Sequence, residues 1–221
     1  MFEPSITERI LHKYHNNIRK RKAPILNKQL NNVDFTIISN NCWGGIVYEA
    51  YNLKKNSPTV GAYLFAKDYL KLVKNLEYYF SLNIQMISSY ESINKKKIIE
   101  NHNEDCPIGV LDDIEIVFVH YKTRELALEK WNRRIKRVNW NNLIFKFSYM
   151  NSCTEEQLEE FDSLDLPGKK IMFVNQPSHH YKCGVYYPGF ENDSQIYNDT
   201  YYWDYYFDVT LFLNKGIIEC K

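Results

Sequence analysis

The sequence predicts an α/β protein, built as a mostly parallel, Rossmann-like sheet with flanking helices and an added aromatic-rich C-terminal part. Short apolar, β-branched runs such as VDFTIIS and IEIVFVHY are each followed by a stretch with helical periodicity. Turn and cap residues stand at the joints, among them Asn-Asn-Cys-Trp-Gly-Gly after the first run. From Asn175 the composition shifts to QPSHHYKCGVYYPGFENDSQIYNDTYYWDYY, aromatic and polar with few aliphatic residues, which reads as a lid or edge to a site rather than as main core.

Residues 1–32 read as an amphipathic helix and a basic linker, with Ile6, Ile10, Leu11, Tyr14 and Ile18 on one stripe opposite Arg19, Lys20, Arg21 and Lys22. Two uses stay open for it, packing on the domain and peripheral contact with a membrane. Residues 33–221 form the α/β domain. Val33 to Ser39 is its first strand, and IVYEAYNL its first helix. After Ser57 and Pro58, Ala66 to Leu82 is a second helix with Leu70, Val73, Leu76 and Phe80 on one face. Ile84 to Ile87 is a short strand, and Tyr90 to Cys106 a lysine-rich surface excursion. Pro107 to Leu111 turns at Asp112 and Asp113 into Ile114 to Tyr121, expected to share one mostly parallel sheet with Val33 to Ser39. Thr123 caps the helix RELALEKWNRRIKRV, in which Ala127, Trp131, Ile135 and Val138 form the apolar stripe and the arginines and lysines take the rest. Leu143 to Phe147 is a strand, Thr154 and Gln157 make a capping box for TEEQLEEFDSL, Lys170 to Val174 is a strand, and FDVTLFLN is the last helix.

With 28 basic and 27 acidic residues, no global field favours nucleic acid. The five cysteines have neither CxxC nor zinc-type spacing and read as reduced thiols. The absence of a long apolar run points to a cytoplasmic protein, with the inner face of the membrane open to it through the first helix.

The best-marked candidate site is the turn Asn40, Asn41, Cys42, Trp43, Gly44 and Gly45, at the carboxyl end of a strand and the amino end of a helix. There Cys42 can act as a nucleophile with its pKa lowered by the helix dipole, the amides can hold a phosphate, or Cys42 and Trp43 can simply pack. His120 leaves its strand where it can serve as the base for Cys42, or as a structural imidazole, with Asp112 as its orienting carboxylate. Tyr121, Lys122, Arg133 and Arg134 supply aromatic and cationic groups for a diphosphate or coenzyme A, on a helix that is otherwise a solvated face. No metal set is evident, and the His179-His180 pair has no assigned role.

The segments IISNNCWGG, NSPTVGAYLFAKDYLKLVKNLEYYF, PIGVLDDIEIVFVHYKTRELALEKWNRRIKRVNWNNL and YYPGFE resemble the bacterial DUF1919 family, whose members are labelled exopolysaccharide biosynthesis proteins, over residues 33 to 213. The resemblance implies an α/β fold with an added α+β part and a surface-polysaccharide setting, and no reaction. The leading expectation is a sugar O-acyltransferase using a coenzyme A thioester, with a glycosyltransferase using a sugar nucleotide and a non-catalytic carbohydrate-binding assembly protein as alternatives. Each takes a carbohydrate or lipid-linked sugar as partner.

Overall fold

The computed structural model describes residues 6–177, 180–197 and 199–221. His179 and the side chains of Ile6 and Leu11 lie outside the described residues. The elements run α1 (Ile6–Lys28), β1 (Thr36–Ser39), α2 (Trp43–Ala50), α3 (Ala66–Lys74), α4 (Leu76–Ser81), β2 (Gln85–Ile87), α5 (Lys95–Glu100), β3 (Ile108–Leu111), β4 (Ile114–Val117), α6 (Arg124–Ile135), β5 (Leu143–Ser148), α7 (Glu155–Ser163), β6 (Gly168–Val174), β7 (Gly184–Tyr186) and α8 (Val209–Lys215).

Two sheets result. The first has four parallel strands in the order β1-β5-β6-β7, and the second has three antiparallel strands in the order β2-β3-β4. The fold is therefore mixed α/β, and the expectation that Val33 to Ser39 and Ile114 to Tyr121 share one sheet is corrected. The cause is local: Asp112 takes a left-handed φ of 52° and joins β3 to β4 through a two-residue turn, which pairs Leu111 with Ile114 and makes the strands antiparallel. The small sheet is joined onward through a bridge between Tyr63 and Val117.

Side chains alternate strictly across the parallel sheet, as a period of two requires. Ile38, Leu143, Phe145, Phe147, Met172 and Val174 pack against one core with α3, α4, α6 and α7. Ile37, Ile144, Ile171, Phe173 and Val185 pack against the other with α2 and α8. Tyr187, Ile196, Trp203 and Phe207 belong to this second core, so the C-terminal aromatic segment fills a core face as well as edging a site. That corrects its reading as a lid or edge outside the main core.

Three further departures have simple causes. The single helix expected from Ala66 to Leu82 breaks at Asn75, whose φ of −134° and ψ of 48° are not helical. The excursion from Tyr90 to Cys106 contains α5, anchored by buried Ile98. Strand β7, of three residues, is too short to show a period. Thr123 accepts from the Leu126 amide, and Thr154 forms the full capping box with Gln157, as their spacing implied.

No helix among the described residues is long and apolar enough to cross a membrane. α1 docks through Leu26, and the chain just after it through Leu30, on the second core, while Ile10 and Tyr14 stay exposed.

Candidate functional site

β1 ends at Ser39 and turns through Asn40, Asn41 and Cys42 into α2, while its parallel neighbour β5 ends at Ser148 and turns through Asn151 and Ser152. The last two take left-handed φ values of 55° and 65°, which non-glycine residues adopt only where their surroundings hold them. The Asn151 amide supplies that hold: Nδ2 donates to the carbonyls of Asn40 (3.2 Å) and Leu64 (3.1 Å), and its backbone N–H to Gln195 Oε1 (3.1 Å). Two loops are thereby tied together at the carboxyl ends of adjacent parallel strands, where open α/β sheets place ligands. A cleft of about 1070 Å³ opens at this point.

Its floor is a buried polar cluster. Lys146, in the middle of β5 and 0% exposed, donates through Nζ to Asp199 Oδ2 (2.6 Å), Ser148 Oγ (2.5 Å) and Asn41 Oδ1 (2.9 Å). All three ammonium protons are therefore used. The Nζ also lies 4.6 Å from the centre of the Phe173 ring. Asp199, 1% exposed, accepts at Oδ2 from Lys146, from Asn41 Nδ2 (2.7 Å) and from Ser148 Oγ (2.7 Å). Among the described residues Oδ1 accepts nothing, and Asp199 lines the cleft. Asn41 is the hinge of the cluster, since its Oδ1 also accepts from the Trp43 N–H (3.1 Å) and fixes the start of α2. Burial pushes the Lys146 ammonium below its ordinary pKa, against the pull of Asp199.

Cys42 stands beside this pair on the cleft wall. The residue as a whole is half-buried, yet its thiol is deep enough that burial, reinforced by Asp199 and opposed by Lys146, pushes it up to about 12. The lowered pKa expected from the helix dipole is corrected, because desolvation and a neighbouring carboxylate outweigh one short helix end.

Opposite Cys42, Arg134 turns inward from α6 and is 7% exposed, where the helical pattern had placed it among solvated charges. Its Nη1 donates to the Val60 carbonyl (2.9 Å) and to the Tyr121 hydroxyl, and its guanidinium carbon lies 5.9 Å from the centre of the Tyr121 ring. Tyr121 donates to the same carbonyl (2.5 Å). Gly61, at φ 82°, lies so close to the ring that an added Cβ would be 2.9 Å from it, and its carbonyl accepts from the His120 N–H (3.1 Å). His120 is exposed at the rim.

The cleft thus brings together Asn41, Cys42, Gly45, His120, Tyr121 and Arg134. Other candidates lie elsewhere. Asp112 sits at the tip of the β3-β4 hairpin, at the opposite end of β4 from His120, and accepts from the Tyr78 hydroxyl (2.9 Å). Arg133 pairs with Glu129 (3.1 Å) on the outer face of α6, and Lys122 lines a separate cavity of about 240 Å³. Trp43 is buried with its edge toward Phe173, and Asn40 donates to the Ser148 carbonyl (3.2 Å). Gly44 faces Ile37, whose Cγ2 would be 3.0 Å from an added Cβ, so it serves the packing of α2 on β1. The His180 ring lies tilted against that of Tyr181, 4.4 Å between centres, and does not line the cleft.

The sequence reading missed Lys146, Ser148 and Asp199. A lysine inside the otherwise apolar strand LIFKFS was the available signal, because an ammonium in a buried strand requires a partner. Asp199, in a polar loop, carried none. Among the described residues no three His, Cys, Asp or Glu side chains converge to hold a metal ion.

Residues 13–214 match the family described as Domain of unknown function (DUF1919), so the match begins within α1. An uncharacterized protein of Haemophilus influenzae is 30% identical over 171 residues, covering 77% of this chain and 76% of that protein.

Proposed function

We propose that this chain, which belongs to the DUF1919 family, is a transferase of bacterial surface-polysaccharide assembly that moves a sugar from a sugar nucleotide to a carbohydrate hydroxyl. The observation that carries the reading is the Lys146–Asp199 pair, 2.6 Å apart beneath a cleft at the carboxyl ends of parallel strands. A buried ion pair costs desolvation that its own attraction rarely exceeds, and apolar residues of similar volume often do as well for stability. Its retention under a ligand-sized cleft fits a preorganised site better than a packing need.

In this reading Asp199 Oδ1 takes the proton of the acceptor hydroxyl as the new C–O bond forms, while the bond from the anomeric carbon to the diphosphate breaks and the diphosphate leaves with the electron pair. Lys146, Asn41 and Ser148 hold the carboxylate in place through Oδ2. The diphosphate finds positive charge at Arg134 and at the Gly45 amide, which belongs to the first turn of α2 and so has no acceptor within the helix. A Rossmann-like classification of the parallel sheet goes with this use. The polysaccharide setting is the one the family resemblance implies, and the exposed Ile10 and Tyr14 on α1 suit a site at the inner membrane face with a lipid-linked acceptor.

O-acyl transfer ranks second. A thiol at about 12 is ionised in only about one molecule in 10⁵ at pH 7, which removes the support for Cys42 as nucleophile and leaves His120 at the rim as base. Thermal unfolding in the presence of different ligands separates the readings. Uridine, guanosine or cytidine sugar nucleotides are expected to raise the unfolding temperature and acyl-coenzyme A to leave it unchanged. The reverse pattern would replace glycosyl with acyl transfer, and a rise with oligosaccharides alone would leave a carbohydrate-binding protein.

A further inference from the structure

We propose that a second cavity, between α1 and the C-terminal aromatic segment, is an oligosaccharide site that holds the acceptor chain and leads it to Asp199. The proposal rests on the transferase reading above and deepens it, because it names the acceptor as an oligosaccharide rather than a single sugar or a free lipid. The cavity has a volume of about 980 Å³, at the upper end of the range for small-molecule sites.

Trp203 is the first ground. Its side chain is 1% exposed and lines both this cavity and the main cleft, and among the described residues its indole N–H has no partner. The indole ring, rather than this covered N–H, is what a ligand in either cavity meets. The ring is already fixed. The Arg19 guanidinium carbon lies 5.3 Å from its centre, and that guanidinium is bound to the Asp204 carboxylate and to the Tyr201 carbonyl (3.1 Å). Tyr51 meets the indole edge-on at 6.4 Å.

The character of the remaining wall identifies the ligand. Tyr186, Tyr205 and Tyr206 line the cavity, and Tyr205 is 63% exposed, more than core packing would leave it. Aromatic faces take up the C–H faces of pyranose rings, while hydroxyl and carboxylate groups nearby take up their O–H groups, and Thr210 and Asp208 stand on the same wall. Charge there is mixed, with Lys22 and Lys221 beside Asp204 and Asp208, which suits a polyhydroxylated chain better than a polyanion. Continuity supplies the direction. Arg19 and Trp203 line both spaces, and Asp199 lies four residues before Trp203 on the same loop, so a chain crossing the Arg19–Trp203 pair has its end at the carboxylate.

The test uses the full chain labelled with ¹⁵N at tryptophan, with the Trp203 indole resonance assigned by its loss in Trp203→Phe. A panel of defined bacterial capsular and lipopolysaccharide-type oligosaccharides is titrated in, and in parallel vesicles of phosphatidylglycerol. At least one oligosaccharide is expected to shift the Trp203 resonance while that of buried Trp131 stays still, and Tyr205→Ala is expected to weaken that titration at least fivefold without lowering the unfolding temperature of the free protein. No shift with any oligosaccharide, a shift with vesicles alone, or an affinity unchanged in Tyr205→Ala would each overturn the proposal. Sugar-nucleotide binding is read separately by thermal shift. Oligosaccharide binding without it would sink the transferase reading and keep the cavity, and the converse would sink the cavity alone.

Discussion

Lys146 and Asp199 make the sharpest statement available at the scale of single residues, because each is buried by the fold and its charge is balanced by the other. Lys146→Met should leave the Asp199 carboxylate uncompensated and cost on the order of 3–5 kcal/mol in urea denaturation, whereas Lys146→Met with Asp199→Leu should recover most of that loss. A double variant as unstable as the single one would mean that the pair contributes to the fold itself. Cys42 gives a second expectation. With its thiol pushed up to about 12, iodoacetamide should label it slowly at pH 7–8 and faster only as pH rises past 9, behind exposed Cys220. A fast reaction at neutral pH would restore the nucleophile. At this scale the sequence was half legible. Asn41, Cys42, Tyr121 and Arg134 stood beside turns and strand ends that could be recognised, but Asp199 comes from a distant loop whose position depends on tertiary packing, and the inward turn of Arg134 depends on the Val60 carbonyl that it finds there.

At the scale of elements, the contact between α3 and β4 carries an unusual carboxylate. Asp68, buried on α3, accepts from the Glu115 amide (3.3 Å) on β4, and burial pushes its pKa up to about 6, with that amide and Lys71 pulling the other way and the Glu115 carboxylate adding to the rise. The folded value lies above the ordinary one near 3.8, so the folded state holds this proton more tightly. Its stabilising contribution is full below about pH 4 and lost as pH rises through about 6. Asp68→Asn keeps an acceptor for the Glu115 amide and removes the buried charge. It should therefore raise stability at pH 7.5 by on the order of 1–2 kcal/mol, with the gain vanishing toward pH 4, as thermal denaturation at both pH values would register. A loss at pH 7.5 would show that the charge itself is needed. Elements with their own chemical signals were the ones legible in advance: Thr154 with Gln157, Thr123, and the Asp112-Asp113 turn. Sheet membership was not, because the apolar, β-branched run from Ile114 identifies a strand and is silent on its partners, which the hairpin decides.

At the scale of the molecule, the parallel sheet is a partition between two cores, and the alternation along β5 and β6 makes each strand a member of both. Phe147 faces the core of α3 and α7, stacking at 5.3 Å on Tyr69, while Phe173 faces the core of α2 and α8, stacking at 4.5 Å on Tyr187. The cleft depends on the same partition, since Lys146 reaches Asp199 from β5 on the side of Phe173. Were the cores independent, a cavity cut into one would leave the other folded and the molecule would unfold in two steps. Because residues of one strand alternate between them, loss of β5 or β6 pairing empties both at once, and a single cooperative transition is expected. Phe147→Ala and Phe173→Ala should each cost about 3–5 kcal/mol and shift that one transition by similar amounts, with the denaturant slope unchanged. Circular dichroism and the indole resonances of ¹⁵N-tryptophan-labelled protein check this together, for Trp131 reports on the first core and Trp203 on the second. Coincident curves for both variants would establish the shared sheet as the unit of stability. If Phe173→Ala moved the Trp203 signal while Trp131 stayed on the original curve, the C-terminal aromatic segment would be a separable subdomain, and the cleft would open by local unfolding at Asp199 without loss of the first core.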